Sequence, residues 1–324
     1  MNSDPATPKT QLSQDLRKGS FGAEVKSMQQ RLKDFGFDPG PIDGQFGTGT
    51  EQALWAFEGL VLQRRYDQQT GVLDNSTWQL MQDPIQFKPR RPQPAGATHM
   101  EIYLDLQAAI VFTDAKPTLI THISSGTGET WCEIITQDTD ELGQPLPEPV
   151  KKDVCGVSKT PGGVFQFYRR VEGNRQGPLG GMYNPVYFNY GIAVHGARNV
   201  PSEPASHGCI RLPMFIAEYF PSLVKNKDYV FVWDGKKEPE QQSKRDMLPV
   251  FNYANPDATT STSSSTSTTT ATTTATTVKP PTTTAKPVTT TTKPKPPSTT
   301  TTTSTSVPPS GSVPAATTTS TTKP

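Results

Sequence analysis

Long hydrophobic runs are missing from this sequence. Only 32% of its 324 residues are hydrophobic, and the mean hydropathy is −0.55. No stretch approaches the roughly 18 apolar residues that a membrane-spanning helix needs. Residues 1–14 also lack the apolar core of a secretory signal peptide. The sequence therefore predicts no membrane helix and displays no export signal.

An excess of one charge is also missing. The chain has 31 basic and 30 acidic residues, for a net charge of +1. Dense basic runs interleaved with aromatic residues do not occur, so we expect no nucleic-acid partner. The charge is divided unevenly, because residues 258–324 carry five Lys and no acidic residue. A basic tail on a mildly acidic body predicts an anionic partner outside the folded domains.

The same tail lacks aromatic residues. Residues 258–324 are almost wholly Thr, Ser, Pro, Ala and Lys, a composition that cannot bury a core, and we expect them to be disordered. At about 3.1 Å per residue a polyproline-like chain of this length would span roughly 200 Å. Ser and Thr beside Pro also suit O-glycosylation. The composition thus indicates a spacer.

Cysteine is scarce, with three residues at 132, 155 and 209. In an oxidising compartment the simplest arrangement of an odd number is one disulfide and one reactive thiol. If Cys209 is the reactive thiol, for the reasons given next, Cys132 and Cys155 are the candidate disulfide pair. The alternative, two buried free thiols, stays open because connectivity does not follow from sequence.

One short stretch places two of the four histidines beside a cysteine. His195-Gly196 is followed, after a Pro-containing loop, by Ser-His-Gly-Cys-Ile-Arg-Leu at 206–212. A thiol attacks as the thiolate, so it needs a base beside it and donors aimed at the developing oxyanion. His195 can take the proton of Cys209, and the amides around Gly208 and Cys209 are candidates for the oxyanion hole.

A lone Cys is more often a small buried hydrophobe, and a lone His more often a core or surface residue. Neither alternative predicts His-Gly followed so closely by His-Gly-Cys. The pattern resembles the active-site signature of the L,D-transpeptidase (YkuD-type) catalytic domain. The resemblance implies that Cys209 is the nucleophile and that His195 is the proton acceptor and donor. The residues that match its supporting positions are Ser206, His207, Gly208 and Arg211.

Alternation of apolar and polar residues begins near His99 and predicts short strands. The predicted strands lie at 102–106, 110–112, 119–123, 164–168, 186–190, 192–194, 210–212 and 229–233. A short amphipathic helix is predicted from 214 to 225. Mostly short strands with one helix indicate a mainly β domain that is sandwich-like or barrel-like. The resemblance to the L,D-transpeptidase domain covers roughly residues 101–234 and implies the same fold.

Three segments of this domain bear on the substrate cleft. Lys-Thr-Pro-Gly-Gly-Val-Phe at 159–165 is similar to the TP.G.F turn of the family, which implies that Phe165 lies in the cleft. Tyr183, in a Gly-containing segment before the strand that leads to His195, and Gly196 are further candidates. The insert at 129–153 is rich in Asp, Glu and Pro, and between a lid and a surface loop its composition favours a surface loop.

Helical spacing of apolar residues predicts a small module before the β domain. Val25, Met28, Leu32 and Phe35 indicate a first helix, Thr48 or Thr50 is the predicted N-cap of a second, and a third opens at 75–81. The segment resembles the peptidoglycan-binding domain. The matching residues are Gly22, Val25, Leu32, Gly36, Asp43, Gly44, Phe46, Gly47, Thr50, Ala53, Phe57, Asp74, Thr77, Trp78 and Leu80. Glu58 departs from that pattern, in which Gln is usual.

The expected fold class is therefore multidomain. A small all-α three-helix module at 12–83 is followed by a Pro-rich linker at 84–98 and a mainly β catalytic domain at 99–236. A second linker at 237–257 leads to the disordered tail at 258–324. We expect the stiff first linker to let the two domains move relative to each other, and the Arg90-Arg91 pair within it to be solvated.

The resemblance implies peptidoglycan cross-linking without a metal or cofactor. Cys209 would attack the third residue of a tetrapeptide stem, and an amine of a neighbouring stem would resolve the thioester into a 3–3 link. Resolution by water would instead make the protein an L,D-carboxypeptidase. The implied partners are stem peptides as donor and acceptor, with anionic wall polymers at the tail. The implied location is extracytoplasmic, in the cell wall or periplasmic space of a bacterium.

Two alternatives belong to other functional classes. A zinc hydrolase would use His195, His207 and Cys209 as ligands, but His207 and Cys209 are only two residues apart and no catalytic acid is evident nearby. A non-catalytic wall-binding scaffold would carry an inactive remnant of the site, and it is disfavoured because every residue that the chemistry needs is present. The sequence does not indicate the oligomeric state.

Overall fold

The computed structural model describes residues 8–139, 145–177 and 179–253. A helical module comes first and a mainly β domain follows, which confirms the predicted fold class. The predicted disordered tail at 258–324 lies outside the described residues. Within the described ranges, no helix is long and apolar enough to cross a membrane.

The module is built from three helices, Ala23–Asp34 (α1), Thr48–Leu60 (α2) and Asn75–Met81 (α3). The carboxylate of Asp74 caps α3 by accepting from the Thr77 amide at 2.7 Å. The N-cap of α2 is Gly47, not Thr48 or Thr50, and it gives no side-chain cap. Thr50 is buried instead, and its Oγ1 accepts a hydrogen bond from Gln29.

The unusual Glu58 has a structural role in this module. Its side chain is fully buried and forms an ion pair with Arg64 at 2.7 Å. It also accepts hydrogen bonds from the amides of Thr70 and Gly71, at 2.9 and 3.0 Å. A buried carboxylate is stable only when it is paired and hydrogen-bonded in this way. Glu58 therefore ties α2 to the loop that leads into α3.

The β domain contains short strands joined by tight turns. The strands are Thr98–Tyr103 (β1), Ala108–Thr113 (β2), Lys116–His122 (β3), Thr130–Thr139 (β4), Pro145–Val157 (β5), Gly163–Gln166 (β6), Arg169–Arg170 (β7), Asn174–Gly177 (β8), Gly180–Asn189 (β9), Ile192–Ala197 (β10), Ile210–Pro213 (β11), Tyr229–Trp233 (β12) and Val250–Tyr253 (β13). The helix predicted at 214–225 is divided into Met214–Ala217 (α4) and Phe220–Leu223 (α5).

The strands form three sheets. The first has the order β3-β2-β1-β12-β6, and the second has the order β11-β10-β9-β7 with β8 paired to β9. The third has the order β13-β5-β4. The pairs β1–β12 and β10–β11 are parallel, and the other pairs are antiparallel.

The first sheet is buried on both faces. One face packs against the helical module in a core that includes Phe57, Phe112 and Phe231. The other face packs against the second sheet in a core that includes Val111 and Val194. A strand covered on both sides is apolar at successive positions rather than at alternate ones, and β2 accordingly has five consecutive buried residues. The architecture is a sandwich of two sheets with a helical layer outside the first.

The expectation that the first linker lets the two domains move is wrong, because one apolar core includes residues of both domains. The linker is also fixed in place by its basic pair. Arg91 forms ion pairs with Glu238 and Glu240 at 2.6 and 2.7 Å, and Arg90 pairs with Glu238 at 2.8 Å. Both guanidinium groups lie over the ring of Trp233. These arginines are therefore partners within the fold rather than solvated charges.

Candidate active site

The two predicted catalytic residues are placed by a parallel pair of strands. His195 lies on β10 opposite Arg211 on β11, and Cys209 immediately precedes β11. The loop between β10 and β11 carries the chain from the base to the nucleophile. Because the two strands are parallel, the chain returns along this loop to the start of β11, beside β10. His195 and Cys209, 14 residues apart in sequence, therefore lie at one site.

A cavity of about 890 Å³ opens at this point. A volume of this size is typical of a ligand site. The predicted site residues that line it are Tyr183, His195, Gly196, Ser206, His207, Cys209 and Arg211. The structure thus brings together all but two of the candidates, and the exceptions are Gly208 and Phe165.

The turn before the nucleophile is held by short hydrogen bonds. Ser206 Oγ donates to the carbonyl of Cys209 at 2.6 Å and accepts from the Gly208 amide at 3.0 Å. Gly208 has a φ of +131°, and a Cβ there would lie 2.9 Å from the carbonyl oxygen of Lys159. Glycine is therefore required. Behind the turn, Thr160 Oγ1 donates to the Gly208 carbonyl at 2.7 Å.

This bonding changes the expected oxyanion hole. Because the Gly208 amide already donates to Ser206, it is not available to a substrate oxygen. The amide of Cys209 remains the candidate donor. Gly208 contributes by its backbone conformation, and it lies behind the nucleophile rather than in the lining of the cavity.

Burial shifts both reacting groups toward their neutral forms. It raises the pKa of the Cys209 thiol and lowers the pKa of His195. The charge of Arg211 lowers both pKa values, and the Ala193 backbone also lowers that of Cys209. The resting site therefore contains a thiol and a neutral imidazole rather than a preformed ion pair.

The tautomer of His195 follows from its hydrogen bond. Nδ1 lies 2.9 Å from the carbonyl oxygen of Gly196, which can only accept, so Nδ1 carries the hydrogen. Nε2 is then the basic nitrogen. The thiol of Cys209 contacts the carbonyl of Gly191 at 3.8 Å. Proton transfer to His195 consequently requires the thiol to turn from this carbonyl toward the imidazole.

Arg211 supplies a cation to the cavity. Burial lowers the pKa of its guanidinium, and interaction with Cys209 opposes that shift. Among the described residues no carboxylate forms an ion pair with it, and its backbone is fixed by two hydrogen bonds with Ser124, at 2.9 and 3.1 Å. A guanidinium without a protein partner is suited to hold a carboxylate or a carbonyl of a ligand.

The insert at 129–153 is not a plain surface loop, so that prediction is wrong. It lies mostly within the β4–β5 hairpin, where Cys132 and Cys155 are directly opposite each other and joined by a disulfide. Trp131 lines the cavity and packs edge-to-face on His207, with ring centroids 5.1 Å apart. Glu133 lies 3.2 Å from Nε2 of His207. The hairpin therefore forms one wall of the site.

Phe165 was expected in the cleft, and this expectation is wrong. Its side chain is 8% exposed and packs in the core between the two sheets, edge-to-face on Phe188. The neighbouring Val164 packs on the opposite face of the first sheet. Since successive side chains on a strand point to opposite faces and both faces of β6 are covered, neither reaches the cavity. In this motif Lys159 is the cavity-lining residue.

Tyr183 lines the cavity, and a hydrogen bond from its hydroxyl to Glu218 at 2.8 Å orients the side chain. Gly196 lies across from it on β10. A Cβ at Gly196 would be 2.7 Å from the Cβ of Ala217, so glycine allows α4 to pack against the strand.

Sequence patterns did not indicate three further residues that contact or influence the site. Trp131 and Glu133 lie in an insert whose composition is that of a loop. The pKa of Tyr187 is raised mainly by burial, and the charge of Cys209 adds to that shift. An aromatic residue inside an acidic insert was the one available signal for Trp131.

The described residues do not provide the ligands that the zinc hydrolase alternative requires. In the described ranges no three residues among His, Cys, Asp and Glu are grouped so that they could hold a metal ion. His207 instead contacts Trp131 and Glu133.

Comparisons with known proteins agree with the two resemblances. Residues 97–232 match the family described as the L,D-transpeptidase (YkuD) catalytic domain, and residues 21–81 match the family described as a putative peptidoglycan binding domain. A solved L,D-transpeptidase structure from Xylanimonas cellulosilytica is 28% identical, covering 71% of this chain and 100% of that chain with a TM-score of 0.52.

Two further solved structures share 17% identity. One is an L,D-transpeptidase from Stackebrandtia nassauensis, covering 70% of this chain and 97% of that chain with a TM-score of 0.33. The other is a fused Zn-dependent amidase/peptidase with a peptidoglycan-binding domain from Clostridium acetobutylicum, covering 68% and 99% with a TM-score of 0.29. No curated protein sequence matches the chain.

Proposed function

Because this chain carries a catalytic domain of the L,D-transpeptidase family behind a peptidoglycan-binding module, we propose that it forms 3–3 cross-links in peptidoglycan through a thioacyl-enzyme intermediate. The observation that carries the proposal is the cavity in which Cys209, His195 and Arg211 meet. The cavity offers a nucleophile, a base and a cation.

The first half-reaction follows from the protonation states. Nε2 of His195 takes the thiol proton as Cys209 Sγ attacks the carbonyl carbon of the third stem residue. The Cys209 amide donates to the resulting oxyanion. His195 then returns the proton to the leaving D-Ala amine, the C–N bond breaks, and the acyl group stays on sulfur.

The second half-reaction runs in the reverse direction. An acceptor amine attacks the thioester carbonyl, and His195 takes a proton from that amine. The C–S bond then breaks as the new amide forms, and His195 passes the proton to the sulfur of Cys209. In this proposal the donor and the acceptor stem both enter the cavity of about 890 Å³.

Intact-mass analysis with a disaccharide-tetrapeptide donor tests this proposal. We expect an acyl adduct on the wild-type chain, none on Cys209→Ala, and a cross-linked dimer among the chromatographed products. An adduct that yields tripeptide without dimer would make the protein an L,D-carboxypeptidase. No adduct and no release of D-Ala would leave a non-catalytic wall-binding scaffold as the function.

Alkylation of the resting thiol does not separate an enzyme from a scaffold. Only the thiolate reacts, and burial raises the pKa of Cys209. Slow alkylation is therefore expected of the active enzyme as well, and the acyl adduct is the decisive observation.

The proposed location is outside the cytoplasm, at the cell wall or in the periplasmic space. Peptidoglycan as substrate supports it, and so does the disulfide between Cys132 and Cys155, since structural disulfides persist in oxidising compartments. The five lysines of residues 258–324 suit an association with anionic wall polymers. Deleting the tail is expected to weaken retention on wall material and to leave the acylation of Cys209 unchanged.

A further inference from the structure

The helical module contains a second cleft that shares no residue with the catalytic cavity. It lies between the segments 19–23 and 43–47 and has a volume of about 480 Å³. The two segments are joined by backbone hydrogen bonds from Gly22 to Gly44 at 2.8 Å and from Gly19 to Phe46 at 3.0 Å. The cleft is therefore a fixed feature of the module.

Phe21 lies at this cleft with its ring in solvent. It is 83% exposed, whereas Phe46 beside it in the same cleft is 2% exposed. Folding gains nothing from a phenyl ring left in water. A single exposed apolar residue is common on protein surfaces, but this ring borders a concave site, where it is placed to pack against a ligand.

Glycines keep the walls of the cleft bare. Gly22 and Gly44 have φ values of +118° and +79°, a backbone region that other residues rarely adopt. A Cβ at Gly44 would lie 3.0 Å from the carbonyl oxygen of Gly22. The cleft thus presents backbone rather than side chains beside the phenyl ring, which lets a flat ligand approach closely.

Two charged groups border the ring. The carboxylate of Asp43 accepts from the Gln45 amide at 2.9 Å and from Gln29 at 3.2 Å, which fixes its orientation. Lys26 is exposed, and no described residue forms an ion pair with it. An apolar face flanked by an oriented acceptor and a free donor matches a sugar ring, whose C–H face is apolar and whose edge carries hydroxyl and amide groups.

We propose that this cleft binds an N-acetylhexosamine unit of the glycan strand. The ring packs on Phe21, a hydroxyl donates to Asp43, and Lys26 donates to a hydroxyl or carbonyl oxygen. The assignment rests on the proposed function, and it adds that the module holds the sugar backbone rather than the stem peptides. Stems would then stay free to enter the catalytic cavity.

Co-sedimentation with purified sacculi tests the assignment. The full chain with Cys209→Ala serves as the parent, so that the assay measures binding alone and does not depend on catalysis. Sacculi stripped of their stem peptides by an amidase are the glycan probe, and a soluble tetrapeptide is the competitor. We expect the parent to bind whole and stripped sacculi alike and the tetrapeptide not to displace it.

Phe21→Ala is expected to weaken binding about tenfold or more, the scale of a lost aromatic contact, while Phe21→Trp retains it. Tyr229→Ala, which removes an exposed aromatic residue outside both cavities, is the matched control and should bind like the parent.

Equal binding by Phe21→Ala and the parent, with equal melting temperatures, would overturn the site. Binding that disappears on stripped sacculi would overturn the glycan as ligand, and a parent that binds neither probe would overturn the site and the wall-binding role together. An acyl adduct on the wild-type chain would in each case leave the catalytic proposal standing.

Discussion

His195 and Cys209 illustrate how burial sets the chemistry of single residues. Each would be charged in a thiolate–imidazolium pair, and removal from water penalises that charge. Arg211 acts on both groups in the same direction, since its positive charge favours thiolate and disfavours imidazolium. The balance leaves a neutral base ready to take a proton only when the thiol attacks.

The pH dependence of acylation follows from this balance. Activity requires a neutral His195, and because its pKa is lowered it stays neutral at pH values at which an ordinary histidine is protonated. We expect the acidic limb of kcat/KM for the donor to have its midpoint below the ordinary value of about 6.5. A pH–rate profile measures it, and a midpoint at or above that value would contradict the protonation state assigned here.

Ser206 tests whether the geometry of the nucleophile turn matters. Ser206→Ala would leave the Gly208 amide and the Cys209 carbonyl without their partner. Loss of hydrogen bonds at a buried site costs about 1–3 kcal/mol, and we expect kcat to fall about ten- to a hundredfold. Ser206→Thr keeps the hydroxyl and should retain most of the activity. A wild-type kcat in Ser206→Ala would show that activity does not depend on these hydrogen bonds.

At the scale of elements, the loop between β10 and β11 is held from outside the site. Gln52 on α2 donates to the carbonyl of Val200 at 2.9 Å, and His122 on β3 contacts the carbonyl of Pro201 at 2.7 Å. Ser124 Oγ donates to the carbonyl of Glu203 at 2.8 Å. Each of these side chains is buried. The module thus supports the segment that joins the base to the nucleophile.

Gln52→Leu removes the contribution of the module to this support. The buried Val200 carbonyl loses its donor, and we expect kcat with a soluble donor to fall about tenfold. Gln30 is an exposed glutamine on α1 whose side-chain amide donates to Asp34 of the same helix. Gln30→Leu is therefore the matched control and should keep the wild-type rate. If Gln52→Leu lowered the melting temperature but not kcat, the contact would be structural only.

The β4–β5 hairpin is the second element that affects the site. Its disulfide joins residues 23 apart in sequence, and a closed loop of this length stabilises the folded state by about 3 kcal/mol. In the double variant Cys132→Ser/Cys155→Ser we expect faster hydrogen exchange in β4 and β5 and a higher KM for the donor, because Trp131 and Glu133 lose their fixed contact with His207. An unchanged KM together with faster exchange would separate the hairpin from substrate binding.

At the scale of the whole molecule, the helices and the first sheet form one body. Tyr103 and Trp233 of the sheet share a core with Phe37 and Phe57 of the module. Exposing that face would put a large apolar surface in water. The module is therefore part of the stability of the catalytic domain, in addition to its proposed role in binding.

His122 makes this junction sensitive to acid. Burial lowers its pKa to about 4, while the unfolded chain takes up a proton near the ordinary value of 6.5. Above pH 6.5 the residue is neutral in both states and does not lower the free energy of unfolding. As the pH falls from 6.5 toward 4, protonation of the unfolded chain lowers that free energy by about 3 kcal/mol in all. We expect urea unfolding between pH 7 and 4.5 to show a smaller loss for His122→Gln, which cannot be protonated. Equal losses in both proteins would contradict this assignment.

Much of the site could be predicted from the sequence because its chemistry is local. His195-Gly196 and the segment 206–212 identify a nucleophile and a base, and the structure places both at one cavity. The helices were predictable from apolar spacing, although the N-cap of the second helix is Gly47 and not Thr48 or Thr50. Scarce cysteine indicated which pair was free to form a disulfide, although two free thiols remained possible.

Only the tertiary structure decided what surrounds those residues. The position of Phe165 in the core, the hairpin over His207 and the support from Gln52 depend on contacts between segments far apart in the chain. Sequence patterns report which face of an element is apolar, but they do not report what covers it. The sequence thus determined the reacting groups and the order of the elements. Packing determined their protonation states and the walls of the site, because burial and non-local hydrogen bonds exist only in the folded chain.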